Sequence, residues 1–196
     1  WPNDDPRKLA SVLEMGKAEQ GTGGYAPNKG DHETDLFNKK YSHLQHGGAS
    51  GTKGMFYYIY NWNNGDPMQL ESAQDFFYLR YAEVLLMHSE LTETATGMNQ
   101  VRARVGLGPV AYSLDNLKKE RLYELAFEGH RWFDLVRWGD VENPDHNFFA
   151  TQCNVRNSGV AATYSVNYRP VTKGLLPIPE SEIRLSNGVY EQNPGW

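Results

Sequence analysis

The stretch Glu124 to Gly139, ELAFEGHRWFDLVRWG, constrains this chain more than any other. It is a run of helix formers punctuated by Gly129 and Gly139. Glycine tolerates the left-handed backbone that closes a helix, so both positions are predicted to terminate helices. Between them Trp132, Phe133, Leu135, Val136 and Trp138 leave no fully polar face. Glu128, Arg131, Asp134 and Arg137 recur at threes, which makes opposite charges neighbours on a helix. The segment is therefore expected to be wedged between other elements, with Trp132 and Trp138 buried and those four charges paired.

Three regions follow from pattern. Residues 1–75 are loop-rich, with helical character near Pro6 to Gly16 and a Gly47-Gly48-Ala49-Ser50-Gly51 stretch that reads as a loop. Met55 to Trp62 (MFYYIYNW) is aromatic and β-branched, fit for a short strand or extended segment. Residues 76–139 are the helical core. Phe77, Tyr81, Val84, Leu85, His88 and Leu91 recur at threes and fours and predict one inward stripe. A shorter helix from about Met98 to Val105, ended by Gly106, should turn Met98, Val101 and Val105 inward. The short connection Thr92 to Gly97 predicts an antiparallel hairpin. Ser113 is the expected N-cap of a third helix that buries Leu114, Leu117, Leu122 and Leu125. Residues 140–196 are irregular, because Pro144, Pro170, Pro177, Pro179 and Pro194 prevent long helices. Leu175 to Pro179 should be extended, a one-turn helix should start near Ser181 and Glu182, and Trp196 should dock back onto the helices. The fold class is mainly α: packed antiparallel helix pairs with long irregular loops and an extended C-terminal tail.

Composition narrows function. At 196 residues the chain suits one domain with a real core. Its net charge of −5 and pI near 5.7 argue against a nucleic-acid groove, which needs a basic stripe. Glu120, Glu124 and Glu128 fall at fours along one helix face. Interleaved Lys119, Arg121, Arg131 and Arg137 would lower a paired carboxylate's pKa, which suits an ion network rather than a proton donor. His32, Glu33, His43 and His46 lack the converging donors zinc requires, so no metal is expected there. Asn61 to Asp66 offers part of a calcium loop but carries one carboxylate and no distal Glu. No GxSxG or phosphate loop is present, so no cofactor and no enzyme are expected.

One constellation points to ligand capture. Sugars present apolar CH faces and rings of hydroxyls, so a sugar site wants aromatic platforms beside short polar side chains. Tyr60, Asn61, Trp62, Asn63 and Asp66, with Tyr57, Tyr58 and Asn64, supply both within ten residues. The same tyrosines equally suit packing under the Gly-rich loop, and both readings stand. Trp1 and Tyr25 are further aromatic candidates.

The signature segment closely resembles that of the SusD/RagB family of outer-membrane nutrient-binding lipoproteins. Leu79 to Met87 (LRYAEVLLM) and Asn99 to Leu107 (NQVRARVGL) resemble the family's helix pair, and Leu176 to Glu182 (LPIPESE) and Gln192 to Trp196 (QNPGW) its terminal segment. The resemblance implies a tetratricopeptide-like superhelix. It also implies non-catalytic binding of oligosaccharides or other nutrients at the cell surface, within polysaccharide utilisation. Delivery would be to a SusC-like TonB-dependent transporter in the outer membrane, with membrane attachment only through a lipid anchor. Family members carry that lipid on an N-terminal cysteine and place most helix pairs in their N-terminal half. Neither is found in this chain, so residues 1–196 are expected to be a single C-terminal SusD-like domain of a longer protein. The alternatives are a helical-repeat adaptor for protein partners or, further off, a glycoside hydrolase with two carboxylates flanking a cleft.

Overall fold

The structure, a computed structural model, describes residues 1–14, 36–40, 76–147, 153–157, 160–164 and 168–196. The Gly47–Gly51 and Met55–Trp62 segments lie outside those residues. The fold is mainly α. The chain divides into two compact units, Trp1–Arg131 with Arg156–Val160, and Trp132–Val155 with Ala161–Trp196.

In the first unit α1 (Arg7–Ser11) leads into β1 (Val12–Glu14). This strand pairs antiparallel with β2 (Leu36–Asn38), Leu13 opposite Phe37. The expected single helix near Pro6 to Gly16 thus gives way to strand at Val12, a β-branched residue whose partner strand is distant in sequence. The three helices of the core follow: α2 (Tyr81–Thr92), α3 (Thr96–Arg104) and α4 (Leu114–Glu124). A short turn folds α3 back along α2. Two contacts seal that hairpin. Gly97 faces the Leu85 carbonyl so closely that a Cβ would stand 2.1 Å from its oxygen. Ser89, fully buried, accepts the Met98 N–H at 2.8 Å and so caps α3 from the neighbouring helix. Asn99 then pins the loop before α4, exchanging two 3.0 Å hydrogen bonds with the Val110 backbone. Ser113 caps α4 as expected, accepting the Asn116 N–H at 3.1 Å.

Leu86, Met98, Val101, Leu117 and Leu125 form the core of this unit. The inward faces of α2 and α4 differ from the pattern-based expectation. On α2 the buried residues are Glu83, Leu86 and Ser89, whereas Tyr81, Val84, His88 and Leu91 face outward. On α4 Leu117 and the following Leu125 are buried, but Leu114 and Leu122 are exposed while Glu120, Arg121 and Glu124 turn inward. On α4 the reason is electrostatic: Glu120 and Glu124 must face the cations that neutralise them.

In the second unit α5 (Arg131–Arg137), whose first residue belongs to the first unit, ends on a Schellman motif. The Gly139 N–H donates to the Val136 carbonyl and the Asp140 N–H to that of Leu135, with Gly139 at φ +70°. Asp134 and Arg137 pair at 2.9 Å, as expected. Trp132, however, is 38% exposed, its indole N–H donating to the Gly174 carbonyl at 3.4 Å, and Phe133 is more open still. With only seven residues, α5 is too short to wrap all its aromatics. Strands β3 (Cys153–Asn157) and β4 (Val160–Tyr164) pair with each other.

The tail holds a 3₁₀ turn at Pro170–Thr172, the expected extended Leu175–Pro179, and α6 (Glu180–Leu185). Gln192 acts as a one-residue strand: its side-chain amide accepts the Ile178 N–H at 2.8 Å and donates to the Ile178 carbonyl at 2.9 Å. Trp196 docks on the tail. Its indole donates to the Leu175 carbonyl at 3.0 Å and its ring lies under the Arg169 guanidinium.

Candidate functional site

The most highly organised polar site in the first unit is built on α4 and the turn after it. Glu120, Glu124 and Glu128 are four residues apart, and each is almost fully buried. Isolated carboxylates at that depth would cost several kcal/mol each, by an order-of-magnitude argument, so each must meet a cation. Arg7, from α1, donates to Glu120 and Glu124 while Asp5 grips the rest of its guanidinium. Arg102 reaches Glu120 at 3.1 Å and the Gly108 carbonyl at 2.8 Å. Arg104 forks onto both Glu124 oxygens at 2.9 Å. Arg80, which precedes α2, takes Glu128 with two N–H groups at 2.6 and 2.9 Å and Glu124 with a third at 2.7 Å. Lys40 adds a 2.5 Å bond to Glu128. Lys40 and Arg80 also donate to the Glu124 carbonyl, at 2.7 and 2.6 Å, where the end of α4 leaves a partial negative charge.

Titration follows this geometry. Burial pushes the Glu124 carboxyl up, but the Arg80 hydrogen bond and the charges of Arg80 and Arg104 outweigh it and hold the group below its ordinary range. Asp5 is likewise raised by burial and, on balance, lowered by Arg7. Burial alone would lower Arg7 and Arg80; their carboxylate partners leave both raised. For Lys40 burial wins despite Glu128, and the ammonium is lowered. A glycosidase acid needs a carboxyl raised toward neutrality. Glu124 is shifted the other way.

The ladder forms one side of a cleft of about 770 Å³, whose other walls include Phe77, Val105, Gly106 and Tyr123. Trp1 packs against Tyr123 and Phe127, ring centroids 6.0 and 6.5 Å away, with its indole nitrogen buried. It is a packed residue and not an open platform. Phe127 holds φ +67°, an uncommon conformation for a bulky side chain, at the turn that presents it to Trp1.

Tyr60, Asn61, Trp62, Asn63 and Asp66 lie outside the described residues, as do Tyr25, Tyr57, Tyr58, Asn64, His32, Glu33, His43 and His46. Among the described residues no cluster of His, Cys, Asp and Glu is arranged to hold a metal ion, and no helix is long and apolar enough to cross a membrane. The ion network expected on Glu120, Glu124 and Glu128 is present, but its cations differ from those expected. Glu128 pairs with Arg80 and Lys40 instead of the helix neighbour Arg131, because it sits in the turn before α5 and not on it. Arg7 and Lys40 carry no sequence signal that marks them as partners. Arg80, Arg102 and Arg104 do, since they punctuate the two helices that must supply countercharge.

Helices fastened by a buried arginine–glutamate ladder beside a cleft define a helical scaffold. The particular family is equally clear: this chain belongs to the SusD family, whose model matches residues 1–196. SusD-like protein P2 of Formosa agariphila is 30% identical over 158 residues, 68% of this chain and 28% of that protein. A laminarin binding SusD-like protein of known structure is 29% identical, with a TM-score of 0.63 over 98% of this chain and 35% of that one. Surface glycan-binding protein A from Bacteroides thetaiotaomicron shares the fold at 23% identity, with a TM-score of 0.65 over 98% of this chain and 39% of that one. The chain thus spans well under half the length of these relatives.

Proposed function

We propose that this protein captures oligosaccharides without converting them, as one part of a surface-exposed, lipid-anchored outer-membrane protein that passes its ligand to a SusC-like TonB-dependent transporter. The observation that carries the reading is membership of the SusD family over residues 1–196, with a 29%-identical relative described as laminarin binding. The saturated carboxylates of the ladder agree with it, since Glu124 is poised as an anion and not as an acid. Trp62 is the proposed stacking platform, with Tyr60, Asn61, Asn63 and Asp66 supplying hydrogen bonds. Stacking plus a few exposed hydrogen bonds supports micromolar to millimolar affinity, roughly 4 to 8 kcal/mol.

Calorimetric titration of the chain with laminarin oligosaccharides, beside a wider glycan array, tests this. Trp62→Ala should weaken binding at least tenfold and leave the melting temperature within about a degree. Unfolding of Trp62→Ala would make the segment core. Hydrolysis of a bound oligosaccharide, lost on changing one acidic residue, would replace the binding reading with an enzymatic one.

A further inference from the structure

The ladder leaves one guanidinium half used. Arg104, the last residue of α3, lines the cleft of about 770 Å³ with its side chain 58% exposed. Its Nη2 alone is engaged, at 2.9 Å from each Glu124 oxygen. Among the described residues its Nε and Nη1 groups meet no acceptor. Two hydroxyl-bearing residues of the same lining are in a similar condition. Tyr123 is placed by ring contacts with Trp1 and Arg7, and no described residue hydrogen-bonds its hydroxyl. Ser11 is 2% exposed, yet its hydroxyl too has no hydrogen-bond partner among the described residues. A buried polar group left without a partner costs about 1–3 kcal/mol, so such a group on a cavity wall calls for an occupant. All three residues belong to the first unit.

The lining selects the chemistry of that occupant. Arg7, Lys40, Arg80 and Arg104 stand around the cleft with Glu124 and Glu128, in a chain whose net charge is −5. Arg7 and Arg80 each hold two or more carboxylates, whereas Arg104 keeps donors for an incoming oxyanion. Hydrogen bonds from a guanidinium to an ionised oxygen are roughly twice as strong as those between neutral groups, which favours an anion over a neutral hydroxyl there. Pro6, Ala10 and Val105 add apolar wall for the CH face of a ring. The volume lies within the range of small-molecule sites, about 300–1,000 Å³. We propose, resting on the oligosaccharide capture above, that this cleft takes an acidic sugar unit, its oxyanion on Arg104 and its ring hydroxyls on Tyr123 and Ser11.

Calorimetric titration of the 196-residue chain tests this with four oligosaccharides of equal length: an oligogalacturonate, its carboxyl-reduced form, a sulfated gluco-oligosaccharide and its unsulfated form. At least one acidic ligand should bind at least tenfold more tightly than its neutral counterpart, and which one does so separates carboxylate from sulfate. Arg104→Gln should bring the acidic and neutral forms to within twofold of each other. Because Arg104 also serves the ladder, Tyr123→Phe is the second variant, deleting a hydroxyl and keeping the ring. It should weaken the acidic ligand at least threefold and leave the melting temperature within a degree. Equal affinity for acidic and neutral forms overturns the acidic site and leaves oligosaccharide capture standing, whereas no binding of any of the four, or of laminarin oligosaccharides, overturns both. An acidic preference that survives both variants overturns the proposal by placing the oxyanion outside this cleft. Inorganic sulfate that binds as tightly as the acidic sugar does so too, since the site would then take any small anion.

Discussion

Arg7 and Glu120, 113 positions apart in the chain, form a buried ion pair that ties α1 to α4. Trp1 packs on Tyr123 of the same helix, and Asp5 holds the same guanidinium from its other side. The first helix is anchored by charge more than by apolar area. Its Leu9 is exposed.

The ladder should therefore rank its arginines by burial. Removing one partner of a buried pair leaves an uncompensated charge and costs on the order of 3–5 kcal/mol, whereas an exposed pair contributes about 0–1 kcal/mol. The side chains of Arg7, Arg80 and Arg104 are 5%, 25% and 58% exposed. Urea unfolding of the three alanine variants should place Arg7→Ala as most damaging, Arg80→Ala close behind and Arg104→Ala mildest. Equal losses for all three would show that the ladder acts as one unit, irrespective of depth.

Acid should loosen the same site. Glu124 and Asp5 have lowered folded-state pKa values, so between folded and unfolded values the unfolded chain binds more protons. Their contribution is complete above the ordinary carboxylate range, about pH 4, and is lost as pH falls through the folded values. Arg7 and Arg80 are raised, so their contribution persists at every pH below the ordinary arginine range. Stability measured from pH 7 to pH 2 should fall steeply at the acid end. Glu124→Gln should start lower and show a shallower acid slope; an unaltered slope would remove Glu124 from the account.

The hairpin of α2 and α3 depends on a missing methyl group. Alanine is favoured over glycine inside a helix by roughly 0.5–1 kcal/mol, but at position 97 its Cβ would meet the Leu85 carbonyl oxygen at 2.1 Å. Backbone cannot rotate away as a side chain can, and overpacking costs about 1–3 kcal/mol. Gly97→Ala should lower the melting temperature by several degrees, with a matching loss in chemical denaturation. A neutral or stabilised variant would mean that the two helices separate freely.

Much of this was legible beforehand, and the failures share a cause. The hairpin, the Ser113 cap, the closure at Gly139 and the extended Leu175–Pro179 depend on residues close in sequence, and each appears as read. Helix rotation does not. On α4 the carboxylates displaced Leu114 and Leu122 from the interior because Arg7, Arg80, Arg102 and Arg104 approach from distant elements. On α2 the strongest apolar stripe proved to be the outer one, since periodicity marks a face that wants cover without saying which neighbour supplies it. Gly97 was read as connection, yet its use is the close approach of two helices.

The Gln192 amide closes residues 178–192 into a ring without a covalent bond. Asn193, donating to the Leu176 carbonyl at 2.7 Å, guards the same closure from one side. A ring of this kind is indifferent to what it encircles. The entropy of closing a flexible loop grows only with the logarithm of its length, about 0.6 kcal/mol per doubling. The arc past α6, from Ser186 to Glu191, is therefore a place where this fold can accept inserted sequence, lengthening by whole motifs while the tail beyond stays moored.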